Sequence, residues 1–279
     1  KEREIFKLPY FPDRIIHHCI MQVLEPIWKK TLIRDTYSSI KGRGLHDGVR
    51  RVKQALKDVA GTQYCLKLDI KKFYPSVDHD VLKQIIRKKI KCIDTLWLLD
   101  EIIDSTSGVP IGNYLSQYFG NIYLSSLDHF VKEHYKAKHY FRYCDDIVIL
   151  AQNKQRLRRT LMGIIWYCKE IKLTLKGNYQ IFPVDNRGID FLGYRFFHDY
   201  VLLRKSIVKR FKEKIHGVKD SWTRTDKRTV VNGIMSYWGW IKHGDCKTLF
   251  DKYIDFHIRA ITEACCLLLN QRNPLRRLQ

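Results

Sequence analysis

Residues 140–150 read YFRYCDDIVIL, where two adjacent carboxylates, Asp145 and Asp146, interrupt an otherwise apolar and aromatic run. Tyr, Phe, Val and Ile on both sides favour strands, so the acidic pair falls where a hairpin turns. Two carboxylates side by side repel, and burying them is costly unless a cation or hydrogen-bond donors compensate. A solvated hairpin tip would account for such a pair in isolation. A second acidic strand end upstream, with a basic chain around both, favours a metal site of which this pair is one half.

The upstream strand is QYCLKLDI (63–70). Leu66, Leu68 and Ile70 face one way, and Cys65, Lys67 and Asp69 the other. Asp69 therefore ends a core strand and is aimed at a cleft. KKFYPSVD then makes a turn, and Asp78 caps a helix that buries Val81, Leu82, Ile85, Ile86 and Ile90. Periodicity predicts further helices over 13–31, 45–60, 94–104 and 153–172, with strands near 172–182 and 188–197. The loop GVPIGNYLSQ feeds a long helix with Leu115, Phe119, Ile122 and Tyr123 on its inner face. Its glycines would let backbone approach a ligand, and its first N–H groups suit an anion, although a plain helix entry has the same spacing.

From Leu203 the character changes to helices, the first of them the basic RKSIVKRFKEKIHGVKD. Ile234, Trp238, Ile241, Leu249, Tyr253 and Phe256 are the expected core of this part. The expected fold class is α+β over 1–202, followed by an all-helical domain over 203–279. The 279 residues, 45% of them hydrophobic, suffice for about two packed domains.

Charge narrows the function. Lys and Arg total 51 against 29 Asp and Glu, a formal net charge of +22, which points to a polyanion and most directly to nucleic acid. No apolar run approaches the ~18 residues of a membrane span, and no signal-peptide core is present, so no membrane partner is expected. The eight cysteines include no CxxC pair, which indicates neither a zinc site nor a disulfide framework and leaves a cytoplasmic location as the expectation. His17 and His18 have no second metal-type cluster nearby and read as packing residues. The start at Lys1 rather than Met suggests a piece of a longer polypeptide.

Asp69 and Asp145, each at a strand end, reach one cleft if their strands are neighbours. Two hard divalent cations held there would activate a hydroxyl nucleophile and neutralise a leaving pyrophosphate. Nucleotidyl transfer is the natural chemistry, and a metal nuclease would use similar ligands.

LDIKKFYPSVD, GVPIGNYLSQYFGN, RYCDD and FLGYRF, in this order and spacing, resemble motifs A, B, C and E of reverse transcriptases. The resemblance extends over nearly the whole chain and implies a right-hand polymerase, with fingers and palm in 1–202 and a helical thumb in 203–279. By matching position it implies that Asp69 and Asp145 hold two Mg²⁺ ions, with the Ile70 carbonyl helping and Asp146 more peripheral. It makes Tyr74 a steric gate against a ribose 2′-OH, and Lys1 and Arg3 the residues that hold the nucleotide triphosphate. Lys176 becomes the candidate general acid on pyrophosphate, and Phe191, Leu192, Gly193 and Tyr194 the primer grip. Lys209, Arg210, Lys212 and Lys214 on the first thumb helix become candidates for gripping template–primer backbone.

The subtype turns on motif B. Intron-encoded, retron and retroviral enzymes usually carry Ser-Pro where this chain has Ser116-Gln117. The GxPIGNxxSQ form resembles reverse transcriptases of diversity-generating retroelements and also some phage-defence enzymes. Ile111 stands where many relatives have a glutamine near the incoming sugar and base, which implies looser base selection and error-prone cDNA synthesis. The retroelement resemblance implies a structured template RNA, dNTP substrates and a small, basic, oligomeric accessory protein. A phage-defence enzyme and a maturase-like RNA-binding protein are the alternatives. The segment that usually precedes the fingers, and the endonuclease or zinc-binding tail of mobile intron proteins, are not seen in this sequence.

Overall fold

Alternating apolar residues in 64–69 make an interior strand of a sheet whose one face packs on most of the helices. The computed structural model describes residues 9–110, 114–221 and 236–253. They fall into two compact units, Lys1–Arg187 and Gly188–Gln279.

The first unit is built on five strands: β1 (Thr36–Tyr37), β2 (Tyr64–Asp69), β3 (His139–Tyr143), β4 (Asp146–Ala151) and β5 (Gln180–Pro183). Their order is β1-β3-β4-β2-β5, with β1 and β3 parallel and the other pairs antiparallel. Among the described residues this unit has seven α-helices: α1 (Ile15–Lys29), α2 (Leu45–Leu56), α3 (His79–Arg87), α4 (Ile93–Asp104), α5 (Tyr114–Glu133), α6 (Lys154–Glu170) and the single turn α7 (Val184–Arg187). Leu66, Leu68 and Ile70 of the central strand join Ile147 and Ile149 in one core with residues of α1, α3, α4, α5 and α6. Period-two alternation then fixes what the opposite face carries: Lys67, Asp69 and Asp146, all half-buried. Asp78 caps α3 as the sequence suggests, accepting from the Val81 N–H at 3.0 Å.

Two elements are shorter than periodicity predicts. The helix expected to reach residue 60 stops at Leu56, because Asp58 accepts from Gly61 N–H and Thr62 Oγ1 and so draws the chain into a local turn. The strand expected over 172–182 shrinks to β5. Leu175 keeps an isolated bridge to Ile70, and the turn-forming Gly177-Asn178 pair interrupts pairing between them.

The second unit opens with β6 (Ile189–Phe191), β7 (Tyr194–Phe196) and β8 (Val201–Leu203), an antiparallel sheet followed by α8 (Lys205–Ser221), a helical segment over 236–241, and α9 (Lys247–Tyr253). The single strand expected over 188–197 is thus a hairpin. Leu192 (φ 53°) and Gly193 (φ 82°) form its two-residue turn, both in the left-handed region as a type I′ turn requires. Glycine is required at 193, since a β-carbon there would run into the Trp240 ring. The sheet is bound to the helical segments: Tyr194 Oη donates to Trp240 O at 2.8 Å, and Val201 N–H to Asp245 Oδ2 at 2.7 Å. For that reason the contact boundary lies at Arg187, ahead of the expected 202/203 division. Ile241 is buried, whereas Trp238 stays partly open and Leu249 half-buried. Ile234, Phe256 and the Tyr253 side chain lie outside the described residues. Among the described residues no helix is long and apolar enough to cross a membrane.

Candidate active site

The register of β2 and β4 places Asp69 directly opposite Asp146. Residues paired in this way project from the same face of a sheet, here the one opposite the core shared with α1, α3, α4, α5 and α6. The hairpin turn between β3 and β4 is Cys144-Asp145, with Cys144 at φ 53°, so the acidic pair straddles the turn and the start of β4. A two-residue loop with positive φ at its first position alone follows the type II′ pattern.

Asp145 and Asp69 are close enough for each charge to act on the other. The Asp145 carboxyl is pushed up to about 6, first by burial, then by the neighbouring charge of Asp69 and a hydrogen bond shared with it. The Lys176 ammonium and the backbone amide pull the other way. Lys176 itself is hydrogen-bonded to Asp69 Oδ2, and its backbone N–H donates to the Asp69 carbonyl at 2.9 Å. The other carboxylate oxygen, Asp69 Oδ1, is buried with no hydrogen-bond partner among the described residues. Asp146 lies 3.5 Å from Lys67 Nζ. The ladder also orients Ile70: because the Asp69 carbonyl bonds toward the β5 side, the next residue's N–H and C=O are turned toward the β3–β4 hairpin.

Tyr74 belongs to this site. Burial first, and then its neighbours Cys144 and Asp145, hold its hydroxyl's pKa well above the usual tyrosine value. The ring packs on Phe73 at 5.2 Å between centroids, and Gly120 of α5 leaves room for both: a β-carbon there would sit 3.0 Å from Phe73 and 3.2 Å from Tyr74. Gly108, at φ 67°, passes so close to Tyr74 and Pro75 that no side chain fits. Val109 N–H donates to the Tyr74 carbonyl at 2.9 Å, which ties the loop before α5 to Tyr74.

Asp69, Asp145, Asp146, Lys176, Ile70 and Tyr74 are therefore brought together. Gln117 is half-buried in the second turn of α5. Lys1, Arg3 and Ile111 lie outside the described residues. Phe191, Leu192, Gly193 and Tyr194 form the β6–β7 hairpin of the second unit, all buried. In α8, Lys209, Arg210 and Lys214 are exposed and Lys212 is half-buried; Lys209 has Glu213 at 3.8 Å.

Sequence reasoning missed Arg142 and Asp128, both fully buried and ion-paired at 2.6 Å directly behind the hairpin. A lone arginine in an otherwise apolar strand was the available signal, since buried charges are almost always paired.

Among the described residues no cluster of three or more His, Cys, Asp and Glu side chains is preassembled for a metal. Two facing carboxylates, one with an orphaned buried oxygen, still suit Mg²⁺, which takes one or two carboxylates and draws further oxygens from substrate phosphates and water.

The comparison with known families agrees with this geometry. Residues 2–196 match the family described as reverse transcriptase (RNA-dependent DNA polymerase). The chain belongs to the reverse transcriptase family. Protein YkfC of Escherichia coli K12 is 24% identical, over 67% of this chain and 61% of that protein. The group II intron-encoded protein LtrA of Lactococcus lactis is 27% identical, over 44% of this chain and 22% of that protein. This reverse transcriptase chain thus spans less than two thirds of either relative. Among solved structures, apo telomerase from Candida tropicalis superposes with a TM-score of 0.55 at 13% identity, covering 89% of this chain and 51% of that one. At that identity the likeness speaks to fold, a right-hand polymerase.

Proposed function

We propose that this chain catalyses RNA-templated DNA synthesis by two-metal nucleotidyl transfer. The observation that carries the reading is the register that sets Asp69, at the end of one strand, opposite Asp146 and next to the Cys144-Asp145 turn, with Lys176 hydrogen-bonded to Asp69. Asp69, Asp145 and the Ile70 carbonyl would hold two Mg²⁺ ions, with Asp146 at the periphery. Bound there, the ions supply activation of the primer 3′-hydroxyl and neutralisation of pyrophosphate charge.

The remaining steps fall to the chain's own side chains. Lys176 holds a proton beside Asp69 and delivers it to the leaving pyrophosphate oxygen. Tyr74, fixed by Cys144 and Phe73, blocks a ribose 2′-OH and so selects dNTPs. Lys1 and Arg3 bind the triphosphate, while Ile111 and Gln117 line the nucleotide position. Phe191, Leu192, Gly193 and Tyr194 grip the primer end. Lys209, Arg210, Lys212 and Lys214 hold the template–primer backbone, in a division of labour between fingers and palm (1–202) and thumb (203–279). The formal charge of +22 supports RNA and cDNA as partners. Telomerase from Candida tropicalis, of the same fold, has been solved with a fragment of telomeric RNA.

The motif B form Gly-x-Pro-Ile-Gly-Asn-x-x-Ser-Gln and Ile111 favour the diversity-generating retroelement type, with an oligomeric basic accessory protein and adenine-directed errors. If Ile111→Gln leaves misincorporation opposite template adenine unchanged, that subtype assignment loses its physical basis. The likeness to an intron-encoded protein favours a second reading, a maturase-like protein that only binds RNA. Primed RNA, dNTPs and Mg²⁺ decide whether the chain polymerises at all. Extension by wild type and its loss in Asp145→Ala are expected, and undiminished extension by that variant removes Asp145 from the mechanism.

A further inference from the structure

Arg142 is buried to 0% exposure in β3, two residues before the catalytic turn, and faces an equally buried Asp128 on α5. All five of its guanidinium donors are engaged. Nε reaches Asp128 at 2.8 Å and 3.0 Å. Nη2 reaches Asp128 Oδ2 at 2.6 Å and the Asn121 carbonyl at 3.2 Å. Nη1 reaches Asn121 Oδ1 at 3.1 Å and the Cys144 carbonyl at 3.0 Å. Asp128 is in turn saturated by Tyr140 Oη at 2.5 Å and Thr36 Oγ1 at 3.2 Å.

The last contact of Nη1 is the informative one. The Cys144 carbonyl belongs to the peptide that joins Cys144 to Asp145, and Cys144 sits in the left-handed region, which a non-glycine residue occupies only when its surroundings hold it there. Fixing that carbonyl fixes the plane from which Asp145 departs. Asn121 couples a third element, because its Nδ2 donates to the Ser38 carbonyl at 3.1 Å while Cys144 Sγ donates to Ser38 Oγ at 3.1 Å. The turn is held by Arg142 through its carbonyl and by Ser38 through its side chain.

We propose that Arg142, oriented by Asp128 and Asn121, is a positioning residue that sets the Cys144–Asp145 peptide and thereby the metal-holding geometry of Asp145. This rests on the polymerase reading for its consequence but not for its test. A buried ion pair is often replaceable by apolar residues at little cost in stability, so mere core filling and positioning make different predictions. Lysine at 142 keeps the charge, but three donors on one nitrogen cannot span Asp128, Asn121 and Cys144 together.

The experiment compares wild type, Arg142→Lys, the volume-conserving pair Arg142→Met with Asp128→Leu, and Ile86→Ala as a core-weakened control away from the hairpin. Mn²⁺ binding is read by electron paramagnetic resonance, with Asp69→Ala as baseline, alongside the Mg²⁺ midpoint of primer extension and the thermal melt. Groups that orient a ligand typically govern metal affinity by about 10–100-fold. Both Arg142 variants are therefore expected to weaken Mn²⁺ binding and raise the Mg²⁺ midpoint by about tenfold or more, while Ile86→Ala lowers the melt and leaves both unchanged. Wild-type Mn²⁺ affinity in either folded Arg142 variant overturns the proposal, and so does failure of both to fold, since the pair then serves the core. Wild type that binds Mn²⁺ at Asp69 yet extends no primer defeats the polymerase reading and leaves this one standing.

Discussion

Asp145→Asn should make the metal-free protein more stable while destroying its activity. The Asp145 carboxyl rises from 3.8 to about 6 in the folded chain, through burial and the charge of Asp69. Between those values the folded state binds more protons than the unfolded one, so stability falls as pH rises from about 4 through about 6 and is flat above. Each pKa unit is worth about 1.36 kcal/mol, which sets an upper limit near 3 kcal/mol at pH 7. Part of the group remains in contact with water, which screens it, so about 1–2 kcal/mol is the expected cost. Asparagine keeps the size and removes the charge. Thermal melts in EDTA from pH 4 to 8 should show the variant melting about 2–8 °C above wild type at pH 7 and converging with it near pH 4. Adding Mg²⁺ should raise wild type by about 2.7 kcal/mol at a hundredfold excess over the dissociation constant, and the variant far less. A variant less stable than wild type at pH 7, or a difference that does not change with pH, would refute the claim that two carboxylates are held together against their repulsion.

Other consequences follow from the same geometry. Lys176→Ala should slow single-turnover extension by about 10²-fold or more with little change in primer–template affinity; an unchanged rate would return Lys176 to a structural partner of Asp69. Tyr74→Ala should lower discrimination against ribonucleotides by about tenfold or more, measured as the ratio of kcat/KM for dNTP and rNTP. An unaltered ratio would mean that the tyrosine, though beside Asp145, does not meet the sugar.

Much of this was legible because simple periodicities were intact. Leu66, Leu68 and Ile70 alternate with Lys67 and Asp69, so one strand declares both its buried face and its acidic end. Asp145 and Asp146 are conspicuous as charges in an apolar run. What stayed hidden depends on partners far along the chain or on backbone angles. Lys176 lies 107 positions from Asp69, and only the resemblance singled it out. Arg142 reads as an ordinary strand residue until α5 brings Asp128 against it. The β6–β7 turn carries Leu192 at positive φ where Asn or Asp would have announced it, so two strands read as one. The boundary at Arg187 was likewise invisible, because it is set by Trp240 and Asp245 returning to the small sheet rather than by composition.

The most direct measurement is the position of the metal. Anomalous scattering from Mn²⁺ in crystals with primer–template and an unreactive dNTP analogue should show an ion bound to carboxylate oxygens of both Asp69 and Asp145, at roughly the 2.0–2.6 Å typical of hard divalent cations. Ions that touch only one of these residues, or lie elsewhere in the molecule, would contradict the account.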